Sequence, residues 1–383
     1  MNKIPGRPPV AIGKHHSPLP QAVQSRFQQL SVYKRRPFYP HQIKSILVRA
    51  VNWLGDAVLT LPAIRQLKRF FPWASLTILA VERVAPVFHN VPEVDHILPY
   101  LPKPPATSFQ DWWAWLSGLR RQKFDLTVIF PNSLESALVA WLLGAPHRVG
   151  YNTEARSLLL TQVVRGPEKM AGLHHVYRHE GILQAFGTVS SDGFPELFLT
   201  PEESKSAVHL LQANGWQPGQ KIIGLSPGAA YGPAKQWFPE RFAAVADQLQ
   251  EEFAAFVVLL GAGGDEEPAR QIVAARRFPT LNLVGRTNLR TALAVIHELD
   301  LLITNDSGLM HAAAALWTPL VALFGSTDPL STGPFTPLAS VLHEPLACSP
   351  CRQRQCPEKH YQCLKLITVA EVVQQARTWL RRA

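Results

Sequence analysis

The stretch Leu301-Leu-Ile-Thr-Asn-Asp-Ser-Gly-Leu-Met-His-Ala-Ala-Ala-Ala315 decides how the rest of the chain is interpreted. Its apolar start predicts a short buried strand, its polar middle a turn, and its end a helix that opens at Gly308. Ser307 or Asp306 can cap that helix, and Gly308 lets a ligand approach the backbone. The N–H groups of a helix start form a phosphate site, to which His311 adds a side-chain donor. A capped helix after a strand is also ordinary α/β construction, so the segment alone leaves both interpretations open.

Strands and helices alternate on both sides of this stretch. Buried strands are predicted at residues 45–50, 76–80, 125–130, 222–226, 255–260, 301–303 and 320–324. Helices are predicted at residues 202–211, 239–251, 266–276, 289–298 and 308–316. Such alternation is typical of a parallel sheet with helices on both faces. Because the pattern starts twice, we expect an α/β protein with two Rossmann-like, doubly wound domains facing each other across a cleft.

Length and composition support two domains. A chain of 383 residues is too long for one ordinary core, and 46% hydrophobic with 17% charged residues is typical of a globular protein. No apolar run is long enough to span a membrane, and the N-terminus lacks the apolar core of a signal peptide. We therefore expect a cytoplasmic protein with a basic, Pro-rich, disordered tail at 1–42 and domains at 43–197 and 198–383.

The positive charge is concentrated in the first half of the chain. The net charge is +10, residues 1–200 hold 22 Lys and Arg against 12 Asp and Glu, and the first carboxylate is Asp56. A basic half suits an anionic partner such as a phosphorylated lipid or an anionic membrane surface. No nucleic-acid-binding motif accompanies the charge, so we expect no nucleic acid partner. A solvated tail without any partner is an equally good interpretation.

Four cysteines lie close together near the C-terminus. Cys348, Cys351, Cys356 and Cys363 follow the pattern C-x2-C-x4-C-x6-C, which is compact enough to hold a structural metal by four thiolates. The pattern departs from the two separated knuckles of common zinc ribbons. We favour reduced thiols packed under a loop, and therefore expect no metal.

Two further loops of the second half follow predicted strands. The first is Ser226-Pro-Gly-Ala-Ala-Tyr-Gly-Pro-Ala-Lys-Gln-Trp237, in which Gly228 and Gly232 keep the backbone open. Its Lys235 is a point charge suited to phosphate. The second is Gly261-Ala-Gly-Gly-Asp265, whose carboxylate could bind ribose hydroxyls. With residues 304–311, these loops predict a pocket for a nucleotide diphosphate.

This pocket matches neither of the two common nucleotide motifs. No G-x4-G-K-[ST] sequence occurs, so a P-loop is excluded. The glycines at 261–264 lack the last spaced glycine of G-x-G-x-x-G and lie in the middle of their domain rather than in its first turn. Both observations argue against a dehydrogenase.

The first half offers one carboxylate in a comparable place. Asp56 follows the first strand in Asn52-Trp53-Leu54-Gly55-Asp56, at or near a helix start. Aspartate is a preferred capping residue, and spacing alone favours that role. The other interpretation is a base that takes a proton from an acceptor hydroxyl, with Gly55 allowing close approach.

The motifs together resemble a known family. They are Asn52-Trp53-Leu54-Gly55-Asp56, Phe130-Pro-Asn-Ser133, Pro146-His-Arg-Val-Gly150, Pro227-Gly-Ala229 with Gly232-Pro-Ala-Lys-Gln-Trp237, and Thr304-Asn-Asp-Ser-Gly-Leu-Met-His311. Over residues 45–375 they resemble the ADP-heptose:lipopolysaccharide heptosyltransferases of glycosyltransferase family 9, and within it the members that add the second heptose of the inner core.

The resemblance implies a GT-B fold with an N-terminal acceptor domain and a C-terminal donor domain. It also implies an inverting transfer from ADP-L-glycero-β-D-manno-heptose that requires no cofactor. A hydroxyl of a heptose on the lipid A-linked core oligosaccharide would be the acceptor, at the cytoplasmic face of the inner membrane.

The resemblance also implies roles for individual residues. Asp56 would be the general base, and Lys235 would neutralise the charge that grows on the leaving diphosphate. Donor contacts would come from Gly228, Tyr231, Gly232, Asp265, Thr287, Asp306, Ser307, Gly308 and His311. Acceptor contacts would come from Asn52, Trp53, Gly55, Arg83, Arg148 and Arg156, although salt bridges explain the three arginines equally well.

Two other functions stay open at this point. A family relative could heptosylate another acceptor, either a different core position or a protein. A protein that binds a nucleotide sugar without catalysis is the second alternative, but loss of Asp56 or Lys235 would have favoured it, and both are present.

Overall fold

A seven-stranded sheet forms the centre of the N-terminal domain in a computed structural model that describes residues 20–187 and 193–382. The described residues divide into two units, 20–197 and 198–382, which are treated in turn. The first sheet contains β1 (Ser31–Lys34), β2 (Ser45–Arg49), β3 (Ser75–Ala80), β4 (His96–Pro99), β5 (Leu126–Ile129), β6 (His147–Tyr151) and β7 (Gln162–Arg165).

These strands lie in the order β1-β7-β6-β5-β2-β3-β4, and only β1 is antiparallel to its neighbour. The helices of the domain are α1 (Gln21–Gln28), α2 (Leu54–Leu59), α3 (Leu61–Phe70), α4 (Phe109–Arg120), α5 (Leu134–Leu142) and α6 (His175–Gly181). The central strands β2 and β5 are nearly continuous apolar runs, because a parallel strand is buried on both of its faces.

Residues 20–42 differ from the predicted tail. Helix α1 buries Val23 and Phe27, which lie four residues apart on one helical face, and β1 pairs with β7 along the edge of the sheet. Two apolar positions and a four-residue edge strand are weak signals among prolines and basic residues, so the prediction of a tail was wrong here. Residues 1–19, which complete the predicted tail, lie outside the described residues.

The C-terminal domain repeats the architecture with a fully parallel sheet. Its strands lie in the order β10-β9-β8-β11-β12-β13. They are β8 (Ile222–Ser226), β9 (Phe256–Leu259), β10 (Leu281–Asn282), β11 (Leu301–Asn305), β12 (Leu320–Phe324) and β13 (Ala339–His343). The helices are α7 (Pro201–Ala213), α8 (Pro239–Phe253), α9 (Glu266–Ala275), α10 (Leu289–Glu298), α11 (Gly308–Ala315), α12 (Pro329–Thr332), α13 (Gln362–Lys365) and α14 (Val369–Leu380).

Apolar burial explains why these strands and helices meet. Ile223, Leu225, Leu301 and Ile303 join one core cluster with the apolar faces of α8, α9 and α14. The α/β fold class with two Rossmann-like, doubly wound domains, predicted from the sequence, is confirmed. In the described ranges, no helix combines the length and apolar character needed to cross a membrane.

Candidate active site

A cavity of about 320 Å³ opens beyond the carboxyl ends of β2 and β5 in the N-terminal domain. In parallel sheets this end of the strands is where ligands bind. The side chains of interest in its wall are Asn52, Trp53, Asp56, His175, Arg178 and His179. The cavity therefore combines one carboxylate with imidazole, guanidinium and amide groups.

Asp56 is the third residue of α2, while Trp53 holds the N-cap position. The predicted placement at or near the cap is thus refined: Asp56 lies in the first turn, where the helix dipole favours a negative charge. Its carboxylate is half-buried, and Oδ1 lies 3.7 Å from Nδ1 of His175. A carboxylate at a cavity wall, beside an imidazole, is well placed to accept a proton.

His175 lies between two charged groups. Its Nδ1 faces Asp56, and its Nε2 lies 3.5 Å from Nη1 of Arg178, one turn further along α6. A guanidinium only donates hydrogen bonds, so in the neutral ring Nε2 is the acceptor and Nδ1 carries the proton. The ring therefore turns an N–H toward Asp56 at a distance longer than a hydrogen bond, so the contact is electrostatic.

His179 is the more deeply placed histidine. Its ring packs edge-on against Phe130, with the centroids 5.5 Å apart, and Nε2 is shielded from solvent without a hydrogen-bond partner among the described residues. Burial lowers the pKa of His179 to about 4, against the opposing attraction of Asp56. The ring is therefore neutral at pH 7.

A buried arginine holds the amide of Asn52. Nη2 of Arg49 donates to Oδ1 of Asn52 over 2.9 Å, and its guanidinium lies 3.7 Å from the ring centroid of Tyr100. At the rim, Arg83 donates to the carbonyl oxygen of Asn52 and lies 5.4 Å from the ring centroid of Trp53. Three predicted acceptor contacts, Asn52, Trp53 and Arg83, are thus brought together near Asp56.

The other predicted acceptor contacts lie elsewhere. Arg148 donates to the carbonyls of Leu159 and Ala145, and Arg156 is fully buried and donates to the carbonyls of Tyr151 and Pro131. Because both guanidiniums donate to backbone carbonyls and neither lines the cavity, we propose a structural role for these two residues in place of the predicted acceptor contact. Gly55 is buried in α2 and does not line the cavity.

The C-terminal domain brings the predicted donor loops together beyond the ends of β8, β9 and β11. Nζ of Lys235 lies 2.6 Å from Oδ2 of Asp306, with both side chains largely shielded from solvent. Oγ1 of Thr327 donates to the same carboxylate oxygen. Lys235 also lies 5.0 Å from the ring centroid of Tyr231. Lys235 thus stands as a fixed cation beside the turn that leads into α11.

The position of Asp265 explains why two residues of these loops are glycine. Its Oδ2 accepts a hydrogen bond from the backbone N–H of Ala262 over 2.9 Å, and burial raises the pKa of this carboxyl. A Cβ added at Gly228 would lie 2.1 Å from Cγ of Asp265, and one at Gly261 would lie 2.9 Å from its Oδ2. The first loop therefore passes directly over the carboxyl group of the second.

One amide joins both ends of the first loop to β11. Nδ2 of Asn305 donates to the carbonyl oxygen of Pro227 over 2.6 Å, and its Oδ1 accepts from the backbone N–H of Trp237 over 3.0 Å. The next residues open α11, where the Ser307 hydroxyl accepts from the N–H of Met310 at the N-cap. The predicted cap at Ser307 is confirmed.

The remaining predicted donor residues surround this centre. Gly308 is the first residue of α11, and His311 is buried in the same helix. Thr287 is half-buried in the loop after β10, which reaches the second loop where the N–H of Gly285 donates to the carbonyl of Gly261. The loops are therefore adjacent, as their positions after parallel strands predict.

The cysteine segment packs against the first loop. A Cβ at Gly232, whose φ is +146°, would lie 2.5 Å from the carbonyl oxygen of Arg354, and the hydroxyl of Tyr231 donates to the carbonyl of Arg352. Tyr231 and Gly232 are thus placed by residues 348–363 as well as by β8.

The cysteine thiols themselves lie around one small cavity. Cys348, Cys351, Cys356 and Cys363 carry free thiols there, with Sγ of Cys348 3.9 Å from Nε2 of His360. Burial, then the three neighbouring thiols, raises the pKa of Cys363. Within the described residues, no group of three or more His, Cys, Asp or Glu side chains is arranged to hold a metal ion.

Comparison with known proteins identifies the family. The pattern of glycosyltransferase family 9 (heptosyltransferase) matches residues 112–362, which is more than half of the chain. The chain belongs to glycosyltransferase family 9. It is accordingly a glycosyltransferase, and the resemblance noted in the sequence is confirmed.

Relatives within family 9 match almost end to end. Lipopolysaccharide heptosyltransferase 2 of Escherichia coli strain K12 is 32% identical over 346 residues, which cover 88% of this chain and 98% of the relative. Lipooligosaccharide heptosyltransferase 2 of Haemophilus influenzae is 31% identical and covers 78% of this chain and 88% of its own. Both domains therefore share the ancestry of these proteins.

Solved structures of family 9 agree. ADP-heptose lps heptosyltransferase II of E. coli superposes with a TM-score of 0.76 at 31% identity, covering 88% of this chain and 99% of its own. A family 9 glycosyltransferase from Veillonella parvula DSM 2008 gives a TM-score of 0.80 at 24% identity, covering 91% and 100%. The first likeness confirms the predicted GT-B fold class, and the second supports the fold alone.

Sequence reasoning missed the side chains of α6 that line the cavity. His175, Arg178 and His179 carry no motif, and their helix follows no predicted strand. The only available signal was the density of titratable residues in His174-His-Val-Tyr-Arg-His-Glu180. Such a cluster points to a site only once the fold shows which residues it faces.

Proposed function

We propose that this chain transfers L-glycero-D-manno-heptose from ADP-heptose to a heptose hydroxyl of the lipopolysaccharide inner core. The observation that carries this proposal is the half-buried carboxylate of Asp56, which faces a cavity of about 320 Å³ and is flanked by His175. Relatives named lipopolysaccharide heptosyltransferase 2, at 31–32% identity over most of the chain, support the substrate class. The cavity falls in the size range of small-molecule sites.

In the proposed reaction, the N-terminal domain supplies the base and the C-terminal domain stabilises the leaving group. Asp56 takes the proton of the acceptor hydroxyl while that oxygen forms a bond to the anomeric carbon. The bond from the anomeric carbon to the diphosphate breaks on the opposite face, and ADP leaves with its electron pair. One inversion at the anomeric carbon results, with the proton held on Asp56 until solvent removes it.

The donor site stabilises the leaving ADP by fixed charge. Lys235 and the N–H groups that open α11 at Ser307 and Gly308 are suited to a diphosphate. Asp306 shares the ammonium of Lys235 and so positions it, while Asp265 is the candidate for the ribose hydroxyls. In this proposal Lys235 provides the electrostatic stabilisation that a metal provides in other transferases, and no cofactor is required.

The acceptor determines where the protein works. A core oligosaccharide linked to lipid A resides in a membrane, so we propose that the protein acts from the cytoplasm, at the membrane surface. The excess of basic residues in the first 200 positions suits an anionic lipid surface. Nothing in its motifs favours a nucleic acid partner.

The test is acceptor-dependent release of ADP from ADP-heptose by the purified protein and by its Asp56→Asn and Asp56→Ala variants. A monoheptosylated core acceptor is expected to stimulate release, and both variants are expected to lose on the order of 10²- to 10⁴-fold in kcat because they lack a base. Binding of ADP should be unchanged, since the donor loops lie in the other domain.

A matched control is Asp111→Asn, which alters an exposed carboxylate on α4 of the same domain. Unaltered turnover in the Asp56 variants would return Asp56 to a structural role at the helix start. Stimulation by a protein acceptor or by another core acceptor, but not by the monoheptosylated core, would overturn the proposed acceptor and keep the chemistry.

A further inference from the structure

The outward side of α5 is apolar throughout. Leu134, Leu138 and Trp141 recur at helical spacing and expose 46%, 41% and 49% of their surfaces. The one charged residue of the helix, Glu135, is half-buried and accepts a hydrogen bond from the hydroxyl of Tyr100. A surface helix ordinarily turns polar residues to solvent, so this helix has the pattern of one that is covered on both sides.

Elements that pack beside α5 also expose apolar side chains. Helix α4 packs beside α5 through a shared core and exposes Phe109 and Trp113, whose rings stack with centroids 6.3 Å apart. Leu158, on the short 3-10 turn Arg156–Leu159 that contacts α5, is 78% exposed. We call the six side chains the apolar face, which consists of Phe109, Trp113, Leu134, Leu138, Trp141 and Leu158.

Basic side chains flank one end of the apolar face. Arg120, Arg121 and Lys123 are exposed where α4 ends. A Cβ at Gly144 would lie 3.7 Å from Nε of Arg120, which places that guanidinium beside the end of α5. Exposed tryptophan and leucine next to lysine and arginine is the composition of surfaces that lie in the headgroup region of an anionic bilayer.

The other end of the apolar face adjoins the cavity of Asp56. Ser133 caps α5, and both Ser133 and its neighbour Asn132 line that cavity. Leu134 follows directly. A surface that rests on lipid would therefore lie next to the place where a lipid-linked sugar must enter.

We propose that the apolar face docks this protein on an anionic bilayer surface, with Trp113 and Trp141 in the headgroup region and the cavity of Asp56 turned toward the membrane-linked acceptor. This proposal rests on the proposed function for its acceptor and assigns the membrane contact to a defined surface. The charges at the end of α4 favour anionic lipid over a second copy of this basic chain.

The test is flotation of the full-length protein with vesicles of phosphatidylethanolamine and phosphatidylglycerol. The Leu138→Gln/Trp141→Gln variant is expected to partition at least 10-fold more weakly than the wild type. The matched control is Leu330→Gln/Leu366→Gln, because these leucines are 78% and 46% exposed in the C-terminal domain. Circular dichroism and the midpoint of thermal unfolding should be unchanged, since the substituted side chains are exposed.

Transfer assays separate this proposal from the proposed function. The Leu138→Gln/Trp141→Gln variant should keep full activity on a delipidated, water-soluble core acceptor and lose activity on an acceptor embedded in vesicles. Vesicle binding equal to that of the wild type would overturn docking through the apolar face, as would a wild-type dimer that the variant converts to monomers without any vesicle binding. If the wild type modifies neither acceptor while its vesicle binding still needs Leu138 and Trp141, the proposed function fails and the docking surface stands.

Discussion

His175 lies between the side chains of Asp56 and Arg178. Substituting His175 tests whether it positions Asp56 for catalysis or only supports the fold. We expect His175→Ala to lower kcat about 10-fold, in the range found for residues that orient a reacting group, with the KM for ADP-heptose unchanged. His175→Asn keeps an N–H near the position of Nδ1 and should recover part of the loss.

The measurement is steady-state transfer by the wild type and both variants. If His175 positions Asp56, the asparagine variant keeps more of kcat than the alanine variant at an unchanged KM for ADP-heptose, because only asparagine restores an N–H beside the carboxylate. Equal losses in the alanine and asparagine variants would show that His175 only fills space.

His179 should make the stability of the protein depend on pH. Its pKa of about 4 in the folded state lies below the ordinary value near 6.5, so the unfolded state binds more protons between these values. The wild type should therefore lose roughly 3 kcal/mol of unfolding free energy from this group as the pH falls from 6.5 to 4.

His179→Gln removes the titrating group and should flatten this part of the profile. Thermal unfolding midpoints of both proteins, compared at pH 7.5, 6, 5 and about 4.5, are the measurement. A constant difference between the two proteins across that range would show that His179 does not carry the dependence.

At the scale of elements, the loops after β8 and β9 act as one unit because the carboxyl group of Asp265 fills the space above Gly228. A methyl group at Gly228 would lie 2.1 to 2.3 Å from that carboxyl group. We expect Gly228→Ala to cost about 1 to 3 kcal/mol of stability and to weaken ADP binding at least 10-fold.

Gly264→Ala, in the turn that carries Asp265, is the matched control. A Cβ at Gly264 would have nothing within 4 Å among the described residues. Calorimetric titration with ADP measures the binding. Combining Gly228→Ala with Asp265→Ala should restore stability; failure of the double variant to do so would mean that the alanine disturbs the backbone rather than the carboxyl group.

The buried elements were the predictable ones. Strands β8 and β12 and helix α10 have the predicted bounds, because strands buried on both faces and strongly amphipathic helices leave continuous or periodic apolar signals. Strand β1 and helix α1 were missed, since their order comes from pairing with β7 and from two buried side chains.

The residues of the candidate site also differ in how well the sequence predicts them. Asp56, Lys235 and residues 304–311 follow strands, so topology alone places them at the ligand-binding end of a sheet. His175 and His179 come from α6, whose approach to α2 depends on tertiary packing. Arg148 and Arg156 donate to backbone carbonyls, a contact that leaves no trace in the sequence.

At the scale of the whole molecule, the family match extends over both domains, whereas the positive charge is concentrated in one of them. The match to lipopolysaccharide heptosyltransferase 2 of E. coli covers 88% of this chain, so it includes both domains. The positive excess belongs to the first 200 residues, and residues 201–383 hold 16 residues of each sign. The basic charge therefore accompanies the domain to which we assign the lipid-linked acceptor, while the donor domain is neutral overall.

The two hydrogen bonds of Asn305 have a practical consequence for the segment between Pro227 and Trp237. The side-chain amide of Asn305 in β11 hydrogen-bonds to both Pro227 and Trp237. The two ends of the segment between them are therefore held at fixed positions by one residue. Exchanging this segment between related transferases would therefore have to keep the asparagine, together with Asp265 beneath Gly228 and the carbonyl of Arg354 beside Gly232. A designer who wishes to exchange this loop therefore has a natural pair of cut sites at Pro227 and Trp237.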